Sequence, residues 1–288
     1  MAASTGQQCS WKPSNPPSPC LPSQITGVAY ARNFLCAQAR GDVMAFLDAD
    51  DVWHPCYLEV QRRQIEQYPQ AVAYFTGHDN LVGHGKPHFA SELDPAAPQF
   101  HLIAPQQFIQ QYDETPLRFG MSWCCVPKAV LATLGPETFN VSVSGADDTY
   151  FHNLLPLLGP ITHTDSALVV YRIMTSSISA NRLKMALLVL GALQLLERPY
   201  QESNQPELYR AFKAMVASCK RNCGKYLMGS GRTPEARRLF RDSIRDANNP
   251  ISLAKSLSLL GLSYLPVALQ PRWPGSLRKT NAPISHLA

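Results

Sequence analysis

The sequence has no long hydrophobic run. Its two longest, Ala186 to Leu196 and Leu257 to Leu269, fall short of the roughly 20 residues a spanning helix needs, and Pro266 interrupts the second. Either can lie on a membrane, and neither can cross it alone. The first 24 residues are rich in Pro and Ser and carry no apolar period of 2 or 3.6, so residues 1–24 are expected to be disordered. They also lack the apolar segment of a secretory leader, which predicts a cytoplasmic protein with reduced thiols. Cysteine pairs at zinc spacing are absent too. The eight cysteines stand at 9, 20, 36, 56, 124, 125, 219 and 223. Cys219 and Cys223 lie four apart on one helical face, but with no second pair they read as core or interface thiols. No nucleic-acid-binding motif occurs, so nucleic acid is not an expected partner.

What is present suffices for one sizeable core and a smaller second unit: 288 residues, of which 45% are hydrophobic. The net charge of +5 hides an asymmetry, because residues 201–288 hold 14 Lys or Arg against 5 Asp or Glu. A basic helical face is usually just solvated, but the same skew suits peripheral contact with an anionic membrane, here at its inner face.

The run Val43-Met44-Ala45-Phe46-Leu47-Asp48-Ala49-Asp50-Asp51-Val52-Trp53 sets three carboxylates directly after an apolar strand. Asp48 and Asp50 flank one small residue, so in an extended segment they point to the same side and can share a hard cation such as Mg²⁺ or Mn²⁺. Such an ion keeps positions open for phosphate oxygens. An isolated Asp-x-Asp reads equally well as a helix cap or a solvated turn, and its surroundings must decide.

Upstream lie Gly27-Val28-Ala29-Tyr30-Ala31-Arg32-Asn33 and Ala39-Arg40-Gly41-Asp42, and Pro55-Cys56-Tyr57-Leu58-Glu59 opens a helix downstream. A second block holds Ser144-Gly145-Ala146-Asp147-Asp148, then Tyr171-Arg172, then Ser177-Ile178-Ser179. In this order the two blocks resemble the family 2 glycosyltransferases, which write them as Ala-Arg-Asn, Ala-x-Gly, Phe-Leu-Asp-x-Asp-Asp, then Gly-x-Glu-Asp, Tyr-Arg and Ser-x-Ser. The resemblance covers residues 27 to 182. It implies an α/β GT-A fold, with a Rossmann-like sheet that carries a nucleoside diphosphate sugar at the carboxyl ends of its strands.

Carried over by position, Arg32, Asn33, Asp48, Asp50 and Asp51 become donor-binding residues, with Asp48 and Asp50 as the metal ligands. Asp148, with Asp147 beside it, becomes the catalytic pair, and Asp148 matches the general base of the inverting members. Asp147 replaces the usual Glu, and Ile173-Met174 stands where many relatives place a metal-ligating His. His152 and His163, the nearest alternatives, read as core or surface residues. The strands that open a complete GT-A domain have no counterpart before Gly27, so the front third is expected to be missing.

The expected organisation is a disordered segment at 1–24, a partial GT-A domain at 25–182, a helical region at 183–269 and a tail at 270–288. Helices are predicted at 28–39 and 56–67, the latter with Leu58, Ile65 and Tyr68 on one face and Pro69 as its stop. Strands are predicted at 71–76 and 122–126, with a loop from Gly77 to Gln99 between them. Trp123 could stack on a sugar ring or pack in the core. Further helices are predicted at 183–197, 206–227, 234–246 and 251–261, and the segment from Gly231 to Pro250 resembles the later half of one tetratricopeptide repeat.

The expected function is metal-dependent, inverting, hexosyltransferase-like transfer to a hydroxyl of a carbohydrate or lipid-linked acceptor, as in polysaccharide biosynthesis. The competing reading is an inactive remnant serving as a binding or membrane-associated module.

Overall fold

The computed structural model describes residues 27–89, 94, 97–115, 119–174 and 181–274. The segment at 1–24, the Ser-x-Ser motif and the end of the tail lie outside the described residues.

Helix α1 (Val28–Gln38) leads through Gly41 into strand β1 (Val43–Ala45), an acidic turn, and strand β2 (Val52–Trp53). Then come α2 (Tyr57–Gln67), β3 (Ala73–Val82), β4 (His101–Ile103) and α3 (Pro105–Glu114). A single 3-10 turn at Met121–Trp123 precedes β5 (Cys124–Pro127), α4 (Lys128–Leu134), the short α5 (Asp147–His152) and the long β6 (Ile161–Ile173). The strands form one mixed sheet in the order β1, β5, β3, β6, β2, with β4 also on β6. Only β3 and β6 run parallel, and their register shifts around Gly77. The first half of β6 also pairs with β4 and its second half with β2. This brings Tyr171 and Arg172 to the end of the sheet that carries the acidic turn.

Two expectations change here. The segment from Gly77 is not loop at first, because residues as far as Val82 extend β3 along β6 and only then does the chain turn away. The polar pattern hid this, since the half-buried second part of β3 has no run of apolar side chains to mark it. On α2 the buried face is Tyr57, Val60, Gln61 and Gln64, whereas Leu58 and Ile65 are only partly covered. Two glutamines are buried because each finds backbone to bond: Gln61 donates to the Tyr74 carbonyl and Gln64 to the Phe75 carbonyl of β3. Of the two readings of Trp123, core packing is the one seen: the ring is buried and stacked on His78 with centroids 4.1 Å apart.

The C-terminal region is helical throughout: α6 (Arg182–Glu202), α7 (Pro206–Gly229), α8 (Thr233–Arg245) and α9 (Pro250–Leu262). Helix α6 runs beyond the predicted end at 197 and contains Pro199. Its interior proline costs a backbone bond, which the packing beyond it offsets. Tyr200 is fully buried, stacks on Phe212 at 4.0 Å and donates its hydroxyl to the Asn153 carbonyl at 2.8 Å. Through these contacts α6 and the first half of α7 share the core of the sheet domain. A second, smaller core gathers Leu227, Met228, Ala236, Phe240 and Trp273. Gly224 permits it, because a Cβ there would lie 2.4 Å from the Phe240 ring. Trp273 belongs to the predicted tail, so the start of that tail is packed.

Candidate active site

The acidic turn is built from inside the sheet. Phe46 continues the β1 pairing by donating to the Cys124 carbonyl, and the chain then turns, with the Asp51 amide on the Asp48 carbonyl at 3.1 Å. Asp48 and Asp50 therefore sit on a turn and not in an extended strand. Ser122 holds this turn from below. Its hydroxyl accepts from the Asp48 amide at 3.0 Å and bonds the Asp51 carboxylate, while its carbonyl accepts from Trp53 Nε1 at 2.6 Å.

Asp51 is buried, and its Oδ1 accepts from the Arg172 amide at 3.0 Å. Burial pushes the Asp51 carboxyl above its usual range, Ser122 and the Arg172 amide oppose that, and Asp50 and Asp48 add to it. The side chain is thus held within the fold by Ser122 and the Arg172 amide. Asp50, by contrast, is exposed.

Arg32 joins the two acidic motifs. One terminal nitrogen donates to Asp48 Oδ1 at 2.8 Å, and the other donates to Asp147 Oδ2 at 2.7 Å. Its guanidinium is nearly covered and lies over the Phe139 ring at 5.7 Å. Asn33 next to it makes a two-way bond with the Phe139 backbone, giving Nδ2 to the carbonyl at 2.7 Å and accepting the amide at 2.9 Å. The Ala-Arg-Asn segment thus anchors the loop before α5. The Asn33 amide is thus engaged by the Phe139 backbone on both sides.

The Gly-Ala-Asp-Asp motif divides its two acids between two tasks. Gly145 takes a positive φ of 94°, which a side chain would resist, and its amide donates to Asp147 Oδ1 at 3.2 Å. Asp147 is buried, with both oxygens bound, so it serves as the partner of Arg32. Asp148 is half-buried, and its Oδ1 accepts from the Thr149 amide at 2.6 Å. Burial raises its carboxyl above the usual range and Asp147 adds to that, against the Thr149 amide and Arg32.

Two residues quoted from the sequence without a role gain one. Arg172 bonds the Asp50 carbonyl through Nε at 3.2 Å and the carbonyls of Gly83 and Gly85 at 2.8 and 3.1 Å, so it ties the acidic turn to the loop after β3. The Tyr171 phenol, half-buried, is raised by burial and then by Asp51, Asp50, Asp148 and Asp48 in turn. It therefore sits in the field of both motifs. Ser122 was missed altogether, since a serine in a predicted strand carries no distinguishing signal. His152 and His163 are core residues: His152 lies among Phe75, Tyr112 and Phe151, and His163 lies beside Phe119 with Nδ1 3.4 Å from Asp165.

A mixed sheet with an Asp-x-Asp turn and a second acidic motif on one rim is the arrangement of the GT-A fold. Residues 21–130 match the family described as glycosyl transferase family 2, a span that includes Arg32, Asn33, Asp48, Asp50 and Asp51 and stops short of Asp147. The first part of the sheet domain is thus similar to glycosyl transferase family 2. Its fold is similar to S. aureus TarS 1-349 in complex with UDP-GlcNAc, at 13% identity and a TM-score of 0.53, over 82% of this chain and 70% of that one. A second crystal structure of S. aureus TarS 1-349 aligns at 15% identity and 0.52, over 82% and 69%. A longer S. aureus TarS structure aligns at 14% and 0.50, over 81% of this chain but only 41% of that one. At these identities the likeness establishes the fold. Curated proteins yield no match.

Proposed function

We propose that this chain moves a sugar from a nucleoside diphosphate sugar to a hydroxyl of a carbohydrate or lipid-linked acceptor, with inversion at the anomeric carbon. The observation that carries the reading is Arg32 bound at once to Asp48 and Asp147, which joins the Asp48–Asp50 turn to the start of the helix bearing Asp148. Acidic groups for the two ends of the reaction then stand at one rim.

Mg²⁺ or Mn²⁺ fits the donor set in one way. Among the described residues no group of three or more His, Cys, Asp or Glu gathers, so the protein would offer at most Asp48 and Asp50. Two carboxylates suffice for a hard ion that keeps water and phosphate oxygens in its other positions. When bound, the ion would neutralise charge on the departing diphosphate. The role of Arg32 is to hold Asp48 in place while leaving Asp48 Oδ2 free of it. Asp148 would accept the acceptor proton, and its raised pKa brings it closer to the operating pH, which favours a general base. Tyr171, in the field of both motifs, is suited to contact the phosphate or the sugar between them.

The test is transfer and hydrolysis by the full chain with UDP-GlcNAc, the compound bound in the TarS structure, and with other nucleoside diphosphate sugars, with and without Mn²⁺. Release of nucleoside diphosphate that needs Asp148 supports the reading, and none with any donor defeats it. A second reading, a binding module without turnover, draws on strand β1 at the edge of the sheet and on the exposed Val28, Tyr30, Leu35 and Leu47 near it. Nucleotide binding without product release would favour that reading.

A further inference from the structure

The first half of helix α9 is inverted relative to an ordinary surface helix. Its inward seam begins polar, with Ser252 and Ser256 buried and accepting from Arg221 at 2.9 and 3.3 Å and Ser256 also bonded to Ser243 at 2.9 Å, before Leu259, Leu260 and Leu262 join the smaller core. Its outward side is apolar, with Ile251 69%, Leu253 38% and Leu257 51% exposed and Leu265 and Leu269 exposed just beyond it. A helix whose first contacts are made by serines while Ile251, Leu253 and Leu257 stay exposed is matched there to an apolar environment outside the protein.

The neighbouring helix supplies the charge. Pro234, Arg238, Arg241 and Arg245 follow one another on α8 at spacings of four, three and four, opposite its buried Ala236 and Phe240. With Asp242 they line an open cleft of about 400 Å³. Arg237 fastens the two helices together, since its guanidinium lies 3.9 Å over the Tyr264 ring and donates to the Ser263 carbonyl at 2.7 Å. Lys255 adds a further exposed cation on α9 itself.

We propose that the outer side of the α8–α9 hairpin docks on an anionic lipid surface, with the α9 side chains entering the boundary and the α8 arginines meeting lipid headgroups. Charge decides the occupant. A second copy meeting this face across a two-fold axis would bring its own arginines against these, whereas an anionic bilayer offers apolar depth and opposite charge together. No helix among the described residues is long and apolar enough to cross a membrane, so the contact is interfacial. This inference does not depend on the chain's catalytic activity.

The test is co-sedimentation of the full chain with vesicles of phosphatidylcholine alone and with phosphatidylglycerol added. Binding is expected only to the anionic vesicles. It should fall about tenfold or more near 1 M salt, where the screening length shrinks to about 3 Å. The double variant R238E/R241E and, separately, Leu257→Asp and Ile251→Asp should show a similar loss, with thermal melts unchanged because all these positions are exposed. Equal binding to both vesicles, or none to either, overturns the proposal. So does a concentration-dependent dimer on gel filtration that Leu257→Asp dissociates, since that would make the face a contact between copies.

Discussion

Arg32 donates to Asp147 Oδ2 at 2.7 Å, and this bond links the first helix of the sheet domain to an acid 115 positions later. Asp147 is almost wholly buried, and its other oxygen is held by the Gly145 amide. Since the second arm of Arg32 reaches Asp48 at 2.8 Å, one cation balances two acids of different motifs. Without it, Asp48, Asp147 and Asp148 would repel one another across the rim.

Removing this cation should therefore affect fold and function together. Arg32→Ala leaves a buried carboxylate unpaired and is expected to lower unfolding free energy by about 3–5 kcal/mol, the usual cost of breaking a buried pair from one side. Arg32→Lys keeps the charge but has no planar fork to reach both acids, so it should regain part of the stability and little of the turnover. Urea unfolding of the three proteins, with nucleoside diphosphate release on each, checks this. Wild-type stability in Arg32→Ala would show that the bond carries no load.

The two acidic motifs and the helices around them were legible because each depends on local pattern: small residues in α1, an apolar strand before the acids, a proline after α2. The division of labour within the motifs was not. Asp50 and Asp51 are neighbours of one chemical type, yet one is exposed and the other buried on Ser122 and the Arg172 amide. Asp147 and Asp148 also separate, the first buried on Arg32 and the second only half-buried. What decides between them is the direction each side chain takes after a turn, and that follows from partners 115 and 121 positions distant. The second half of β3 was hidden for a related reason, since its pairing with β6 is long-range and its half-buried faces leave no apolar alternation.

The split between Asp50 and Asp51 can be measured. Asp50→Asn should weaken Mn²⁺-dependent nucleotide binding and leave the melting temperature nearly unchanged, because its carboxylate is exposed and its backbone carbonyl still accepts from Arg172. Asp51→Ala should do the reverse. It leaves the Ser122 hydroxyl and the Arg172 amide without their acceptor, at about 1–3 kcal/mol for a buried group. Calorimetric titration beside thermal melts separates the two effects, and identical behaviour of the two variants would contradict the division.

His152 should make the protein sensitive to mild acid. The ring is fully buried, neither nitrogen has a hydrogen-bond partner, and burial, with Arg32 adding to it, lowers its pKa to about 3. The unfolded chain takes up a proton near the ordinary value while the folded protein does not, so stability rises with pH across this window and is lost as pH falls below about 6.5. The expected slope is about 1.4 kcal/mol per pH unit. His152→Phe, which fits the surrounding Phe75, Tyr112 and Phe151, should remove that slope. Urea midpoints measured between pH 4 and 7, referenced to the ordinary histidine value of about 6.5, provide the check, and parallel curves for the two proteins would refute it.

Asp148 has the opposite sign. Its carboxyl is raised by burial first and by Asp147 next, so the folded protein holds this proton more tightly than the unfolded chain does. Stability contributed by the neutral form is therefore complete below the ordinary carboxylate value and declines as pH rises through the raised one. Catalysis needs the ionised form, so the acid limb of kcat/KM should lie above the ordinary carboxylate range, in the same interval where stability is being lost. Asp148→Asn should abolish turnover, leave donor binding almost intact, and flatten the decline in stability. The pH profile of kcat/KM, calorimetric binding of the nucleoside diphosphate and urea melts of the variant test the three consequences separately. An Asp148→Asn protein that still transfers sugar at the wild-type rate would take the role of base away from this residue, whatever its stability.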